Sequence, residues 1–409
     1  MKKILFLCVA IIYFTFSASA QKNNYSIPWR ASLHRADSID IVFNFIIMQV
    51  NKKPAMYLIN AAERMRVDSI SFVGDSVFIK MPVFESGFRA KVTKGKWEGV
   101  WRKASSAGFV EMPFTAAANV SRFNATSGNA KFNVSGRWSA NFETDKTKAD
   151  AAVAEFVQKG NKITGTFLTP TGDYRYLEGI VTGNKLKMSG FDGSHAFLFT
   201  GEIANNKNIK NGTFFSGAKY KEGFLAVKDP KAKVSTDVAA MYLRPGEERL
   251  DFRFPGMDSN LVSISDDRFK NKVVVLQILG SWCPNCMDET AFLSDYYNKN
   301  KSRGVEMAAL AYEYSTDFNR SVTSLKKFQQ RFNIQYPILI TGVKVSDSLR
   351  TEKTLPQVTP IKVFPSTIFI DKKGKVRKFD TGFFGPGTGA HYEEYKREFY
   401  KTMNELLSE

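Results

Sequence analysis

Cys283 and Cys286 lie in the run Trp282-Cys283-Pro284-Asn285-Cys286. Thiols at this spacing can close a structural disulfide, supply half of a zinc site, or cycle between dithiol and disulfide. The chain holds only three cysteines, and the third, Cys8, falls in a segment expected to be removed. A structural framework would draw on more cysteines, set farther apart. A tetrahedral zinc site needs four ligands, yet there is no second Cys pair, and His34, His195 and His391 stand singly. A permanently closed bridge here would enclose a very small loop and remove little chain entropy. The pair therefore reads as a redox dithiol, with the closed bridge as the alternative.

The thiolate is the reactive form, so what positions the pair matters more than the pattern. The seven residues Val273–Leu279 are all apolar but Gln277, as in a strand buried on both faces. A helix-like segment follows to about Lys301, with Phe292/Tyr296 and Leu293/Tyr297 four apart. The dithiol falls where strand gives way to helix. Unpaired N–H groups and the positive dipole end favour a thiolate there, and Pro284 suits the first helical position. Cys283 is thus expected to be the exposed, more acidic thiolate that attacks. Cys286, one turn on along the same face, is the more buried thiol that resolves. Beyond it the pattern predicts strands at 305–312, 336–340, 367–370 and 375–380. Helices are predicted around 318–332, 346–354 and 391–407, which makes an α/β domain.

The chain has 409 residues, enough for two or three domains, and its 43% hydrophobic content is that of a globular protein. Lys2 and Lys3 precede an apolar run over 4–16 and the small residues Ser17-Ala18-Ser19-Ala20. That is the pattern of a secretory signal cut between Ala20 and Gln21, and the run is short for a membrane-spanning helix. A soluble protein of the periplasm or cell envelope is expected. The net charge of +18, or +16 without Lys2 and Lys3, is spread along the chain. Export and the lack of a basic stripe exclude nucleic acid as the expected partner.

Residues 21–228 read as all-β. Short alternating or aromatic runs at 40–45, 69–72, 76–81, 136–142, 162–168 and 195–199 are punctuated by Gly74-Asp75, Gly172-Asp173 and Gly183-Asn184. Only 148–157 shows a helical period. Trp29 precedes Gly74 by the same interval as Trp138 precedes Gly183, and Lys80-Met81 and Lys187-Met188 follow. This suggests two related units, 28–110 and 136–220, with chance likeness between aromatic-rich strands as the alternative. A polar stretch over 229–248 reads as a linker with a short helix at 236–243, leaving 249–409 as the α/β domain. The β-rich half gathers no recognisable site. It could recruit a client or partner, or act as a spacer.

Four stretches together resemble a known family: Phe252-Arg253-Phe254-Pro255-Gly256-Met257-Asp258-Ser259, the segment from Val273 to Cys286, Phe364-Pro365-Ser366-Thr367, and Phe369-Ile370-Asp371-Lys372-Lys373-Gly374-Lys375-Val376. In this order residues 249–409 resemble the thioredoxin superfamily, and within it the exported TlpA/ResA-like thiol–disulfide oxidoreductases. The resemblance implies a cis Pro365 whose backbone, with Phe364, faces the dithiol and pairs with an extended substrate. It implies that Trp282, Pro284 and Asn285 complete that face, and that Glu289 helps move the proton of the resolving thiol. A first-turn Glu favoured by the helix dipole is the other reading of Glu289. The buried Asp that cytoplasmic thioredoxins carry six residues before the first Cys is replaced by Gln277, which cannot take a proton. Glu313 reads first as a surface carboxylate, with approach to the cleft as the alternative. The activity implied is reduction of disulfides in client proteins, recharged by a membrane thiol-relay donor. It needs no metal or nucleotide cofactor, because the electrons stay on sulfur. A dithiol oxidase remains an alternative. So does a thiol peroxidase, although 277–282 offers little of that pattern beyond Ser281.

Overall fold

The computed structural model describes residues 27–124, 128–145, 148–235 and 239–409, so the expected signal segment and its cleavage point lie outside the described residues. Strands β1 to β9 span Trp29–His34, Asp40–Val50, Lys53–Asn60, Glu63–Val67, Ile70–Val73, Ser76–Lys80, Ser86–Thr93, Lys96–Ser105 and Gly108–Ala118. Each pairs antiparallel with its chain neighbour, apart from β4 and β5, and β1 closes on β9. Strands β10 to β18 span Gly136–Asp145, Lys148–Lys159, Lys162–Thr169, Gly172–Asp173, Leu177–Thr182, Lys185–Phe191, Ala196–Asn205, Asn208–Ser216 and Tyr220–Lys228. Here β10 closes on β18, β11 on β12 and β12 on β14, which completes a ring with the short β13 added on β12. The N-terminal region is thus built of two barrel-like antiparallel sheets.

Strand alternation fills these sheets. In β14 Leu177, Gly179 and Val181 point inward while Glu178, Ile180 and Thr182 are partly exposed. Phe142, Phe167, Phe199, Phe214 and Phe224 meet in the interior of the second sheet, with Phe167 and Phe214 each stacked on Phe199 at 4.5 Å. Gly74 and Gly183 turn matching hairpins at φ 58° and 55°, a left-handed conformation that costs glycine nothing.

The helical reading of 148–157 is wrong, because this segment is β11. Ala152, Ala154 and Phe156 are buried in the barrel at a period of two, with ladders on both sides. Its alanines favour helix, but pairing with β10 and β12 overrides that preference. The polar stretch after Lys228 packs against the rest of the chain. Ala232, Ala239 and Met241 are buried, and Leu243 bridges Val358 in extended form where the end of a helix was expected. Residues 236–238 of that expected helix lie outside the described residues.

The C-terminal region opens with a small hairpin of β19 (Arg253–Pro255) and β20 (Leu261–Ser263). A five-stranded sheet follows, made of β21 (Val273–Leu279), β22 (Val305–Ala311), β23 (Ile338–Ile340), β24 (Ser366–Ile370) and β25 (Val376–Thr381). Its order is β23-β22-β21-β24-β25, with β24 antiparallel to β21 and β25 antiparallel to β24. Helices α1 (Pro284–Asn300) and α2 (Phe318–Phe332) join strands, α3 (Arg350–Thr354) is the only helical turn of the expected 346–354 segment, and α4 (Ala390–Ser408) follows the last strand. Every residue of β21 and β22 is buried, so these strands lie between two apolar layers, and α1 packs into one of them. One layer holds Val274, Leu276 and Ile278. The other, with Val275 and Leu293, is continuous with the core of the first β-sheet.

Candidate active site

Cys283 is the N-cap of α1. The Cys286 N–H donates to its sulfur at 3.1 Å, and the two residues are joined as a disulfide with Cα atoms 5.2 Å apart. A rigid buried strand on one side and a helix start on the other fix both sulfurs, and Pro284 supplies the preset φ of the first turn. Phe364 and Pro365 are joined by a cis peptide, and the Phe364 carbonyl oxygen lies 3.6 Å from Cys283 Sγ. Trp282 closes another side. Its Nε1 donates to the Tyr312 carbonyl at 2.8 Å, while its ring stacks on Tyr314 and meets Phe364 edge-on, both at 5.4 Å. Asn285, with its amide turned to satisfy both neighbours, donates to the Asp173 carbonyl at 3.2 Å and accepts from the Asp173 N–H at 2.9 Å.

Two carboxyls stand behind this surface. Glu289 is fully buried and accepts from Gln277 Nε2 at 2.7 Å, Thr367 Oγ1 at 2.9 Å and the Tyr395 hydroxyl at 3.1 Å. Burial raises its pKa to about 7, against the pull of those three donors toward the ionised form. Gln277, whose Oε1 accepts from Thr290, is a hydrogen-bond partner of this carboxyl and holds it in place. Glu313 is not the surface carboxylate expected. It is buried at the end of β22, accepting from the Ser281 N–H at 2.8 Å and the Ser281 hydroxyl at 2.7 Å. Burial raises its pKa to about 7 as well. The strand register decides this, because Tyr312 bonds to the Leu279 carbonyl and carries the next residue under the loop before Cys283.

Cys286 is the more buried of the pair, as expected, but Cys283 is itself only 3% exposed against the full burial of Cys286. The β-rich half, which sequence reasoning treated as separate, packs on the residues that follow Cys283. Arg175, at φ 55°, places its guanidinium on Asp288 of α1 at 3.2 Å and on Glu63. Burial raises the Asp288 pKa to about 7 despite that guanidinium, with Asp173, Glu63 and Asp192 adding to the rise. Asp173, Arg175, Asp288, Thr367 and Tyr395 are thus contributors that the sequence did not single out. Gly172-Asp173 was legible only as a turn, and nothing in its spacing points to Asn285.

Among the described residues no group of three or more His, Cys, Asp or Glu side chains could hold a metal ion, and no helix is long and apolar enough to cross a membrane. A family model described as Redoxin matches residues 244–395. The thiol-disulfide oxidoreductase ResA of Bacillus thuringiensis subsp. konkukian is 28% identical over 153 residues, covering 37% of this chain and 77% of that protein.

The C-terminal domain is a ResA-like member of the thioredoxin superfamily. ResA of Halalkalibacterium halodurans is 26% identical to this chain over 140 residues, covering 34% of it and 69% of the relative. Among solved structures, a thiol-disulfide oxidoreductase from Bacteroides fragilis covers 37% of this chain and 99% of its own at 20% identity, with a TM-score of 0.28. The thioredoxin domain of a thiol-disulfide oxidoreductase from Bacteroides vulgatus covers 38% and 99% at 20% identity and a TM-score of 0.28. At those scores the assignment of the ResA-like domain rests on the family match and the sequence relatives.

Proposed function

We propose that this protein is an exported thiol–disulfide oxidoreductase that reduces disulfides of client proteins. The observation that carries the reading is the Cys283–Cys286 disulfide capping α1 opposite the cis Phe364–Pro365 peptide. The names of the ResA relatives support the activity class. In the reduced state the Cys283 thiolate, favoured by the helix N-terminus, attacks one client sulfur and expels the other as a thiolate. The Cys286 thiolate then attacks Cys283 Sγ, restoring the disulfide and releasing the second client thiolate. Two electrons pass to the client, and the two cysteine protons follow them. Glu289 lies one helical turn beyond Cys286 on α1, and a carboxyl with a pKa of about 7 can take the Cys286 proton at neutral pH. Phe364 and Pro365 present backbone to an extended client segment, while Trp282, Pro284 and Asn285 flank it. Recharging requires a dithiol donor outside this chain, for which a membrane thiol-relay protein in the same compartment is the fitting class. No metal or nucleotide is called for, because each step exchanges one S–S bond for another. Ser281, the one residue shared with a peroxidase pattern, has both its N–H and its hydroxyl committed to Glu313.

The test is capture of the intermediate. Reduced Cys286→Ser protein mixed with a peptide disulfide should accumulate a covalent adduct through Cys283 that dithiothreitol releases. No adduct by mass spectrometry, under conditions where free thiols react with the same peptide, would refute the reading.

A further inference from the structure

One wall of the dithiol cleft is built by the other half of the chain. The loop over 169–176, which leads from β12 to β14, reaches the two residues between the sulfurs. Asp173 pairs its main chain with the Asn285 amide, and its side chain accepts from the Gly385 N–H at 2.7 Å and from the Arg175 N–H. Arg175 buries its guanidinium between Asp288 and Glu63, with Nη1 reaching the Pro284 carbonyl at 3.5 Å. Burial would depress the pKa of this arginine, but Asp288, Glu63, Asp192 and Asp173 hold it above its ordinary value, so the lock stays charged. The fit at the tip has no slack. A Cβ on Gly172, whose φ is +144°, would collide with the Asn285 side chain, and one on Gly382 would lie 3.3 Å from Thr171. A second anchor ties the same half to α2, where Glu85 accepts from Ser324 at 2.9 Å and Arg320 at 3.1 Å. Between these anchors Met81, Val83 and Phe84 share a buried cluster with Cys283 and Met287.

Thiol–disulfide exchange needs one sulfur to come into line with the S–S bond it breaks, so access decides which disulfides react. A disulfide on the surface of a folded protein brings its own flanking backbone to the cleft. The loop that would stand in the way of that backbone is the one resting on Pro284 and Asn285 beside Cys283. A small or extended disulfide does not carry such bulk. We infer that the loop over 169–176 is a specificity-determining wall of the redox cleft, admitting disulfides of small molecules and extended, unfolded chains and excluding those on folded surfaces. This rests on the oxidoreductase reading above. The step itself is unchanged: Cys283 bonds one substrate sulfur, the substrate S–S bond breaks, and Cys286 displaces the adduct, so that one dithiol is oxidised and one disulfide reduced.

The full-length reduced protein tests it with oxidised glutathione and with native insulin, each rate divided by that of free dithiothreitol. The normalised rates should favour glutathione by about tenfold or more, and equal rates would overturn the inference. Gly172→Ala pushes the loop tip off Asn285 and should raise the insulin rate about fivefold while glutathione changes less than about twofold. Asp173→Ala frees the same loop by deleting its side-chain anchor, and gives the reading if Gly172→Ala fails to fold. Folded variants that leave the ratio where it was would also overturn the inference. Failure of the oxidoreductase reading looks different: neither substrate reacts above background, and Cys283→Ser changes nothing.

Discussion

Cys283→Ser should lower the rate of disulfide exchange by about a thousandfold or more, because a serine hydroxyl does not ionise near neutral pH. The fold should hardly notice. Serine is itself a preferred N-cap, and its oxygen can accept the Cys286 N–H as the sulfur does now. The melting transition of the reduced proteins is therefore expected to match within experimental scatter while activity is lost. Reduction of oxidised glutathione in the presence of excess dithiothreitol reads the rate, and circular dichroism reads the fold. Retained activity would show that the chemistry resides elsewhere; lost activity with a collapsed melt would leave Cys283 with a structural duty that its position does not suggest.

Glu289→Gln should change how stability depends on pH by about 3 kcal/mol between pH 4.5 and 8. The folded-state pKa of Glu289 is raised from 4.5 to about 7, chiefly by burial. Below the ordinary value the group is protonated both folded and unfolded, and its contribution is fully present. As pH rises, the unfolded chain gives up the proton first, so stability falls progressively. The loss is complete once the pH has passed the folded-state pKa. Glutamine cannot ionise, so urea unfolding of the variant should lack this part of the decline. Glu313 and Asp288, also raised to about 7, titrate in the same direction in both proteins and cancel in the difference. A difference between wild type and variant that stays constant from pH 4.5 to 8 would show that Glu289 does not keep its proton.

What was legible in the sequence is what short stretches of chain determine. The buried run Val273–Leu279 and the helix start at Pro284 are contiguous, so the dithiol could be placed from residue type alone, whereas the place of the Phe364-Pro365 turn beside it was implied by the family resemblance. The β-rich character of 27–228 was legible for the same reason. The long-range pairing was not, because β1 with β9 and β10 with β18 are strands far apart in the chain. The helical reading of 148–157 failed where alanine-rich sequence met ladders on both edges. The packing of the β-rich half beside the dithiol was invisible because Gly172, Asp173 and Arg175 stand more than a hundred residues before Asn285, and a Gly-Asp turn looks the same whether it faces water or a redox site. Glu313 was misjudged because its burial depends on how β22 ends beneath Ser281.

The oxidoreductase account depends on Cys283 and Cys286 exchanging electrons reversibly as one couple. Equilibrating the full-length protein against graded ratios of reduced and oxidised dithiothreitol, then trapping thiols with a mass label, measures that directly. The expected result is a single two-electron transition in which both cysteines become labelled together, at a potential near the thioredoxin value of about −270 mV. A transition near the DsbA value of about −120 mV would contradict the reductive direction, and cysteines that remain unlabelled at every ratio would contradict the redox role itself.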